Sequence, residues 1–345
     1  MNEKTDIKSL NLQEMQEFML AIGEKKFRAK QIYEWLHEKQ VTSFSEMTNL
    51  SKKLQEKLEE CAEITVLEKV EVQISKLDGT RKYLFRLQDG NVIESVLMKY
   101  KHGNSVCISS QVGCRMGCRF CASTLDGLVR GLTAGEMLEQ IYRIGQDIGE
   151  RISNVVVMGS GEPLDNYENL LKFIELLTDE NGLHISQRNL TVSTCGIVPK
   201  MRQLAEKQFQ MTLALSLHAS NQEKRKKLMP IANKYDISEI LDACRYYFEK
   251  TGRRITFEYS LVGGVNDTDE DAAELSSLIK GMNCHVNLIP VNPVKERDYV
   301  QSKQEVISNF KNKLEKNGIN VTIRREMGRD IDGACGQLRK RYMER

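Results

Sequence analysis

No apolar run in the 345-residue chain approaches the ~20 residues that a membrane-spanning helix requires, which excludes a helical membrane protein. The first residues, M-N-E-K-T-D-I-K, are charged and lack the apolar core of a secretory signal. A cytoplasmic enzyme is expected. There is no sequence repeat and no low-complexity linker, which sets aside a repeat array. A net charge of +2 is too small to establish a nucleic-acid partner on its own. Hydrophobic residues at 40% and charged residues at 28% make an ordinary globular balance. The length suits one large domain with a smaller one.

Cysteine is what the chain does have. Four of its nine cysteines fall between Cys107 and Cys121, in C-I-S-S-Q-V-G-C-R-M-G-C-R-F-C. In an intracellular chain such cysteines read as metal ligands or redox groups rather than a disulfide framework. The last three, Cys114, Cys118 and Cys121, form C-x3-C-x2-C with no fourth thiolate nearby. A structural zinc would need a remote fourth ligand. A [4Fe–4S] cluster on three cysteines keeps one iron open.

Residues 1–60 read as a small helical domain, with helices near Leu12–Ile22 and Phe27–Lys39 and Trp35 as a core residue. A basic cluster, Lys25, Lys26, Arg28 and Lys30, lies within it. Residues 61–100 alternate as short strands around Asp78-Gly79 and Asp89-Gly90, both hairpin signals, and read as a β-hairpin linker. From 101 to 320 strands alternate with helices. The strands fall at Ser105–Val112, Val155–Met158, Leu190–Ser193, Met211–Leu217, Ile255–Leu261, Val286–Ile289 and Val321–Arg324. Such alternation predicts a parallel α/β sheet of about six β/α units, a partial (β/α)6 TIM-like barrel. Thr133 with Glu136 reads as a capping box. Residues 321–345 form a C-terminal segment with seven Lys/Arg against four Asp/Glu. Lys224-Arg225-Lys226-Lys227 is a second basic run, either a phosphate-binding patch or a solvated face.

The expected carboxyl ends of these strands carry the unusual residues, where parallel barrels place their chemistry. Gly159 and Gly161 in M-G-S-G-E-P allow close backbone approach to a ligand, and Glu162 offers an acceptor to an ammonium group. Ser193, Ser216, Leu217, His218 and Asn292 end later strands and can bond ribose, carboxylate or adenine. A satisfied strand-end polar group is the plain alternative for each.

Taken together, C-I-S-S-Q-V-G-C-R-M-G-C-R-F-C-A-S-T, V-V-M-G-S-G-E-P-L-D-N, L-S-L-H-A, R-K-K-L-M-P-I, G-G-V-N-D, H-V-N-L-I-P-V-N-P and I-R-R-E-M-G-R-D-I-D-G-A-C-G-Q-L resemble the RlmN/Cfr family of radical S-adenosylmethionine RNA methyltransferases. The resemblance runs from about residue 90 to 340, and F-R-A-K-Q-I in the helical segment also fits. It implies a radical SAM barrel in which Cys114, Cys118 and Cys121 hold one [4Fe–4S] cluster. Gly161, Glu162, Ser193, Ser216, Leu217, His218 and Asn292 would bind S-adenosylmethionine, two molecules per turnover. Cys335 would carry a methyl group, Glu94 would accept a proton, and Cys107 would resolve the intermediate through a transient disulfide with Cys335. Cys61, Cys195, Cys244 and Cys284 match no role and read as packing residues; Cys195 departs from the serine or isoleucine expected there.

Carbon 2 of adenine lies between two ring nitrogens and cannot attack a sulfonium methyl, whereas a carbon radical can add to it. By resemblance, one S-adenosylmethionine methylates the Cys335 thiolate. A second supplies the radical that turns the S-methyl into an adding methylene. Arg324-Arg325-Glu326 and V-N-P-V-K-E-R-D-Y-V resemble the housekeeping carbon-2 branch. Its substrates are the peptidyl-transferase-centre adenine of 23S rRNA and the adenine 3′ of the tRNA anticodon. The helical N-terminal domain would grip RNA. A cellular electron donor, no membrane and a monomer complete the expectation. Two alternatives stand beside it: carbon-8 methylation of the same rRNA adenine, and a non-catalytic RNA-binding protein with a structural metal.

Overall fold

The computed structural model describes residues 4–291, 299–332 and 336–344. A short strand β1 (Thr5–Asp6) leads into α1 (Leu12–Ala21), α2 (Arg28–His37) and α3 (Lys52–Cys61), and β2 (Ala62–Glu63) returns to pair with β1 in parallel. Asn11 caps α1 through a complete capping box with Glu14. These helices bury their own apolar cluster, centred on Met15, Ile32, Leu36 and Leu54. Trp35 is not in it. The indole is half-buried at the rim, where Nε1 donates to Asn49 (2.6 Å) and Lys39 Nζ lies 3.5 Å from the ring centroid.

Next come β3 (Glu68–Ile74), β4 (Arg81–Arg86), β5 (Val92–Tyr100) and β6 (Gly103–Ile108). The segment read as a linker therefore pairs directly with the main sheet, β5 against β6, with Val96 opposite Cys107. The single strand expected over Ser105–Val112 is two. The chain bends after β6, and β7 (Gln111–Gly113) forms a separate ribbon with β8 (Leu128–Gly131). That ribbon holds the two ends of the cysteine loop together.

The α/β alternation follows as α4 (Ala134–Ile148), β9 (Ile152–Val157), α5 (Tyr167–Thr178), β10 (Leu190–Thr194), α6 (Val198–Glu206), β11 (Thr212–Ser216), α7 (Gln222–Leu228) and α8 (Ile237–Thr251). It ends with β12 (Ile255–Leu261), α9 (Asp269–Leu278), β13 (Cys284–Pro290), α10 (Gln304–Lys316), β14 (Asn320–Ile323) and α11 (Gln337–Met343). The sheet order is β14-β13-β12-β11-β10-β9-β6-β5-β4-β3. From β14 to β6 the strands are parallel, and β5, β4 and β3 add an antiparallel flank. The expected α/β architecture is present. β14 is the strand expected over Val321–Arg324, and the sheet is open, with β14 and β3 as its edges.

Parallel strands covered by helices read as short apolar runs, and Val155, Val157, Leu213, Leu215, Phe257 and Leu288 are buried on this pattern. Thr133 and Glu136 do form a capping box on α4. The N-terminal helices are fastened to this core by a buried charge: Lys8 donates to Glu139 on α4 (2.7 Å) and to the Thr65 carbonyl (2.7 Å). Beside it His37 is buried, with Nδ1 2.8 Å from the Tyr142 hydroxyl. Burial, and then the Lys8 cation, pushes His37 from 6.5 down to about 3.

The unfolded His37 binds a proton that the folded one refuses, so stability is lost as pH falls through the window between 6.5 and about 3. Denaturant midpoints measured across that range should show a shallower acid-side slope for His37→Gln than for the natural protein.

Candidate active site

The carboxyl ends of the parallel strands face a cavity of about 730 Å³, on the side of the sheet where such folds collect ligands. Cys114, Cys118 and Cys121 all line it. Their loop is shaped by backbone bonds: Cys114 N–H donates to the Gly127 carbonyl (2.8 Å), Cys121 N–H to Cys118 (3.1 Å) and Arg119 N–H to Leu228 (2.9 Å). Position 113, at φ +75°, accepts only glycine, because a Cβ there would lie 2.0 Å from the Gly127 carbonyl oxygen.

Burial pushes the Cys114 thiol up to about 12, and the Cys121 sulfur adds to the rise. Cys118 is raised for the same reasons. Thiols that resist ionisation give up their protons to a metal cation. Three cysteines around one cavity, with room for a further ligand, fit the larger iron–sulfur core.

The next strand end supplies Gly161 and Glu162. Gly161 sits at φ +111° and packs so closely on β7 that a Cβ would lie 2.7 Å from both Gln111 Cβ and Ser110 Oγ. Glu162 is buried, and accepts from the N–H of Leu164 (3.0 Å) and of Cys195 (2.7 Å). Burial raises its pKa against the pull of those bonds, so the carboxylate gains from a cation in the cavity. Its own N–H donates to Gln111 Oε1 (2.8 Å). Gln111 in turn donates to Asp165 (3.1 Å), which pairs with Arg115 of the cysteine loop. The two ligand-bearing loops are thereby tied together.

Ser193 and Ser216 lie side by side on β10 and β11, their hydroxyls 3.4 Å apart. His218 has a left-handed backbone, φ +55°, a strained conformation of the kind retained at functional sites. Its Nδ1 accepts from Ser260 N–H (2.9 Å), and burial pushes its pKa from 6.5 down to about 3. The imidazole is therefore a neutral donor through Nε2. Leu217 does not line the cavity; its N–H donates to Glu258 (3.0 Å) and its carbonyl accepts from Arg225 (3.2 Å). Asn292 and Cys335 lie outside the described residues.

Cys107 lines the cavity from β6. Glu94, on β5, is 4% exposed and pairs with Lys82 Nζ (3.0 Å), itself 0% exposed. The same carboxylate accepts from the N–H groups of Gly336 and Arg339, both at 2.6 Å, as a cap for α11 supplied from another strand. Lys82 also donates to the Asp332 carbonyl (2.6 Å). One buried ion pair thus fastens Asp332 and Gly336, which flank residues 333–335. Gly336 is pressed against the turn after Cys121, where its Cβ would meet Ala122 Cβ at 2.9 Å.

Sequence reasoning missed Lys82 and Glu258. Glu258 lines the cavity, accepts from Asn287 (2.9 Å) and is raised by burial against the opposing Arg324 cation. Its signal was a carboxylate alternating with Phe257 and Tyr259 in a strand whose other polar residues, Thr256 and Ser260, are uncharged. Lys82 gave no such signal, because R-K-Y-L-F-R reads as a strand with one wet face.

An open parallel sheet with a three-cysteine loop after its first parallel strand is the plan of a radical S-adenosylmethionine enzyme. Residues 108–276 match the radical SAM superfamily, and residues 5–64 match the ribosomal RNA large subunit methyltransferase N-terminal domain. A probable dual-specificity RNA methyltransferase RlmN of Lachnospira eligens is 71% identical over 340 residues, covering 99% of this chain and 97% of that one. Its counterpart in Lachnoclostridium phytofermentans is 65% identical over 343 residues, covering 99% and 96%. The crystal structure of a radical SAM methyltransferase from Sphaerobacter thermophilus superposes with a TM-score of 0.92 at 43% identity, over 96% of this chain and 98% of that one. The chain belongs to the RlmN family, and is a radical S-adenosylmethionine RNA methyltransferase.

Replacing Lys82 by Met strands the Glu94 carboxylate in the core, which costs about 3–5 kcal/mol. Denaturant unfolding should show that loss. Hydrogen exchange at the amides of Gly336 and Arg339 should quicken more than exchange in α4; equal quickening would mean that Lys82 does not fasten the C-terminal segment.

Proposed function

We propose that the protein methylates carbon 2 of adenine in RNA. The targets are the peptidyl-transferase-centre adenine of 23S rRNA and the adenine 3′ of the tRNA anticodon. Two S-adenosylmethionine molecules are used per turnover. The observation that carries this reading is the meeting of the cysteine loop, Glu94 and Gly336, the residue after Cys335, at one end of the sheet. Membership of the RlmN family supports the same targets.

Cys114, Cys118 and Cys121 hold the [4Fe–4S] cluster, which when bound supplies the electron that cleaves S-adenosylmethionine to the 5′-deoxyadenosyl radical. The Gly161–Glu162 turn receives the methionine ammonium, since a close backbone and a buried carboxylate suit a cation. Ser193, Ser216 and the neutral His218 offer hydroxyl and imidazole partners for carboxylate and ribose, with Leu217 holding the His218 backbone in place. Asn292 is assigned to the same ligand from the sequence.

Cys335 takes the methyl group, the 5′-deoxyadenosyl radical takes a hydrogen atom from it to become 5′-deoxyadenosine, and the methylene radical left on Cys335 joins carbon 2 of the adenine. Glu94 takes the ring proton. Cys107 then attacks the Cys335 sulfur: an S–S bond forms as the bond from sulfur to the methylene carbon breaks, that carbon takes up a proton to become the methyl group, the odd electron stays on the two sulfurs as a disulfide radical anion, and a cellular reductant returns them to thiols. A target base must leave its stack to reach such a site, which suits loops and single strands. Arg324, Arg325 and Arg329 at the cavity place cations for its phosphates. At the N-terminal helices Phe27, 55% exposed beside Lys25, Lys26 and Arg28, offers a further RNA contact. The protein acts as a cytoplasmic monomer, and no helix among the described residues is long and apolar enough to cross a membrane.

Protein purified without oxygen should be brown with a broad visible absorption, and alanine at Cys114, Cys118 or Cys121 should abolish it. Nucleoside chromatography with mass analysis of treated RNA should show 2-methyladenosine. 8-Methyladenosine would move the enzyme to the other branch, and no product would leave an RNA-binding protein. Cys107→Ala should trap RNA covalently on Cys335, and clean release by that variant would overturn the resolving role.

A further inference from the structure

The basic run at 224–227 does not form one patch. Lys224 pairs with Asp271 on α9 (2.7 Å), whereas Arg225 is 0% exposed and is the largest fully buried side chain among the described residues. Its Nε donates to the Leu217 carbonyl (3.2 Å), and its Nη2 to the carbonyls of Cys195 (2.7 Å) and Ser216 (3.3 Å). Nη1 is buried and has no hydrogen-bond partner among the described residues. No ion pair with a carboxylate is found for this guanidinium among the described residues, and the titratable groups that act on it are the thiols of Cys195, Cys118 and Cys244, each of which burial keeps protonated.

A buried cation without a counter-ion is expensive, because removing a charge from water costs several kcal/mol unless an opposite charge repays it. Carbonyl dipoles offset part of that cost, and the orphaned Nη1 shows that the remainder is unmet. The surroundings say what is missing. The carboxyl end of α7 is the platform for the cysteine loop: the Leu228 carbonyl accepts from Arg119 N–H (2.9 Å), and a Cβ on Gly117 would lie 3.3 Å from Pro230. Cys118 packs in one apolar cluster with Leu228, Met229 and Cys195. The guanidinium is therefore delivered by the same helix that holds the loop, on the loop's side of the strand ends.

We propose that Arg225 is the buried counter-ion of the iron–sulfur cluster, a positioning residue that stabilises the cluster's negative charge and raises its reduction potential. The proposal rests on the reading that Cys114, Cys118 and Cys121 hold a [4Fe–4S] centre. Three thiolates make that centre anionic, and reduction adds one electron and one further negative charge. A fixed cation stabilises the reduced form more than the oxidised form, so its removal makes reduction harder. Net charge and nearby hydrogen bonds are recognised determinants of such potentials.

The test is a potentiometric titration of the reduced cluster's electron paramagnetic resonance signal in the absence of S-adenosylmethionine. It compares the natural protein with Arg225→Gln and Arg225→Lys at matched iron content. The expected result is a more negative midpoint for Arg225→Gln and recovery toward the natural value in Arg225→Lys. An unchanged midpoint in an iron-replete Arg225→Gln protein overturns the proposal. If that unchanged midpoint comes with weakened S-adenosylmethionine binding, the residue serves the methionine carboxylate instead. Should Arg225→Gln fail to fold or hold iron, protein labelled with nitrogen-15 in its arginine guanidinium groups decides. A coupling between nitrogen-15 and the reduced cluster that disappears in Arg225→Lys supports the assignment; its absence overturns it. A natural protein that binds no iron would instead refute the cluster reading.

Discussion

The Glu94 carboxylate is the point on which the site's assembly turns. It lies on the antiparallel flank of the sheet, yet its partners include Gly336 and Arg339 from the C-terminal segment. It holds the start of α11, at Gly336 and Arg339, to the sheet. A helix as short as α11 leaves its first N–H groups unsatisfied, and a carboxylate is the natural acceptor for them. Lys82 completes the arrangement by neutralising Glu94 and binding the Asp332 carbonyl, on the other flank of residues 333–335. The geometry needs no long-range lever. Two side chains on neighbouring strands fix both flanks of the three residues that include Cys335.

Much of the fold was legible because parallel α/β packing writes itself locally. Strands buried on both faces must be apolar, as at Val155–Val157, and helices between them must show one apolar stripe, as in α4 with its Thr133–Glu136 cap. The cysteine loop and the Gly161–Glu162 turn were legible as well, because each puts several unusual residue types together. What was not legible depended on partners distant in sequence. Lys82 looks like a solvated strand residue until Glu94 and Asp332 are seen around it. The run at Lys224–Lys227 looks uniform until Arg225 is found inside the fold and Lys224 bound to Asp271. Trp35 was placed in the core on residue type alone. Its indole N–H needs an acceptor, and Asn49 at the rim provides one.

The flank of β3, β4 and β5 is continuous with the parallel sheet, and this continuity matters for chemistry. Cys107 on β6 is paired with Val96 on β5, two residues beyond Glu94. The proposed proton acceptor and resolving cysteine therefore sit on adjacent hydrogen-bonded strands, whose spacing is set by the ladder itself. Residues placed on a sheet hold their positions better than residues on loops. The loop-borne members of the site are tethered in compensation: Cys114 to Gly127, Arg119 to Leu228, and Arg115 to Asp165.

The electrostatics of the cavity describe the ligand that it awaits. Burial raises the pKa of both Glu162 and Glu258, so each carboxylate is stabilised by a cationic group or hydrogen-bond donor entering beside it. Burial lowers His218 far enough to keep it neutral, so it adds no positive charge beside a sulfonium. Burial also raises the thiols of Cys114 and Cys118, and Arg225 Nη1 finds no hydrogen-bond partner among the described residues. A ligand carrying ammonium, sulfonium and carboxylate, bound against an anionic metal cluster, meets these deficits together. Each of those groups alone would leave a buried charge unpaired, so the cavity selects for the combination rather than for any single part.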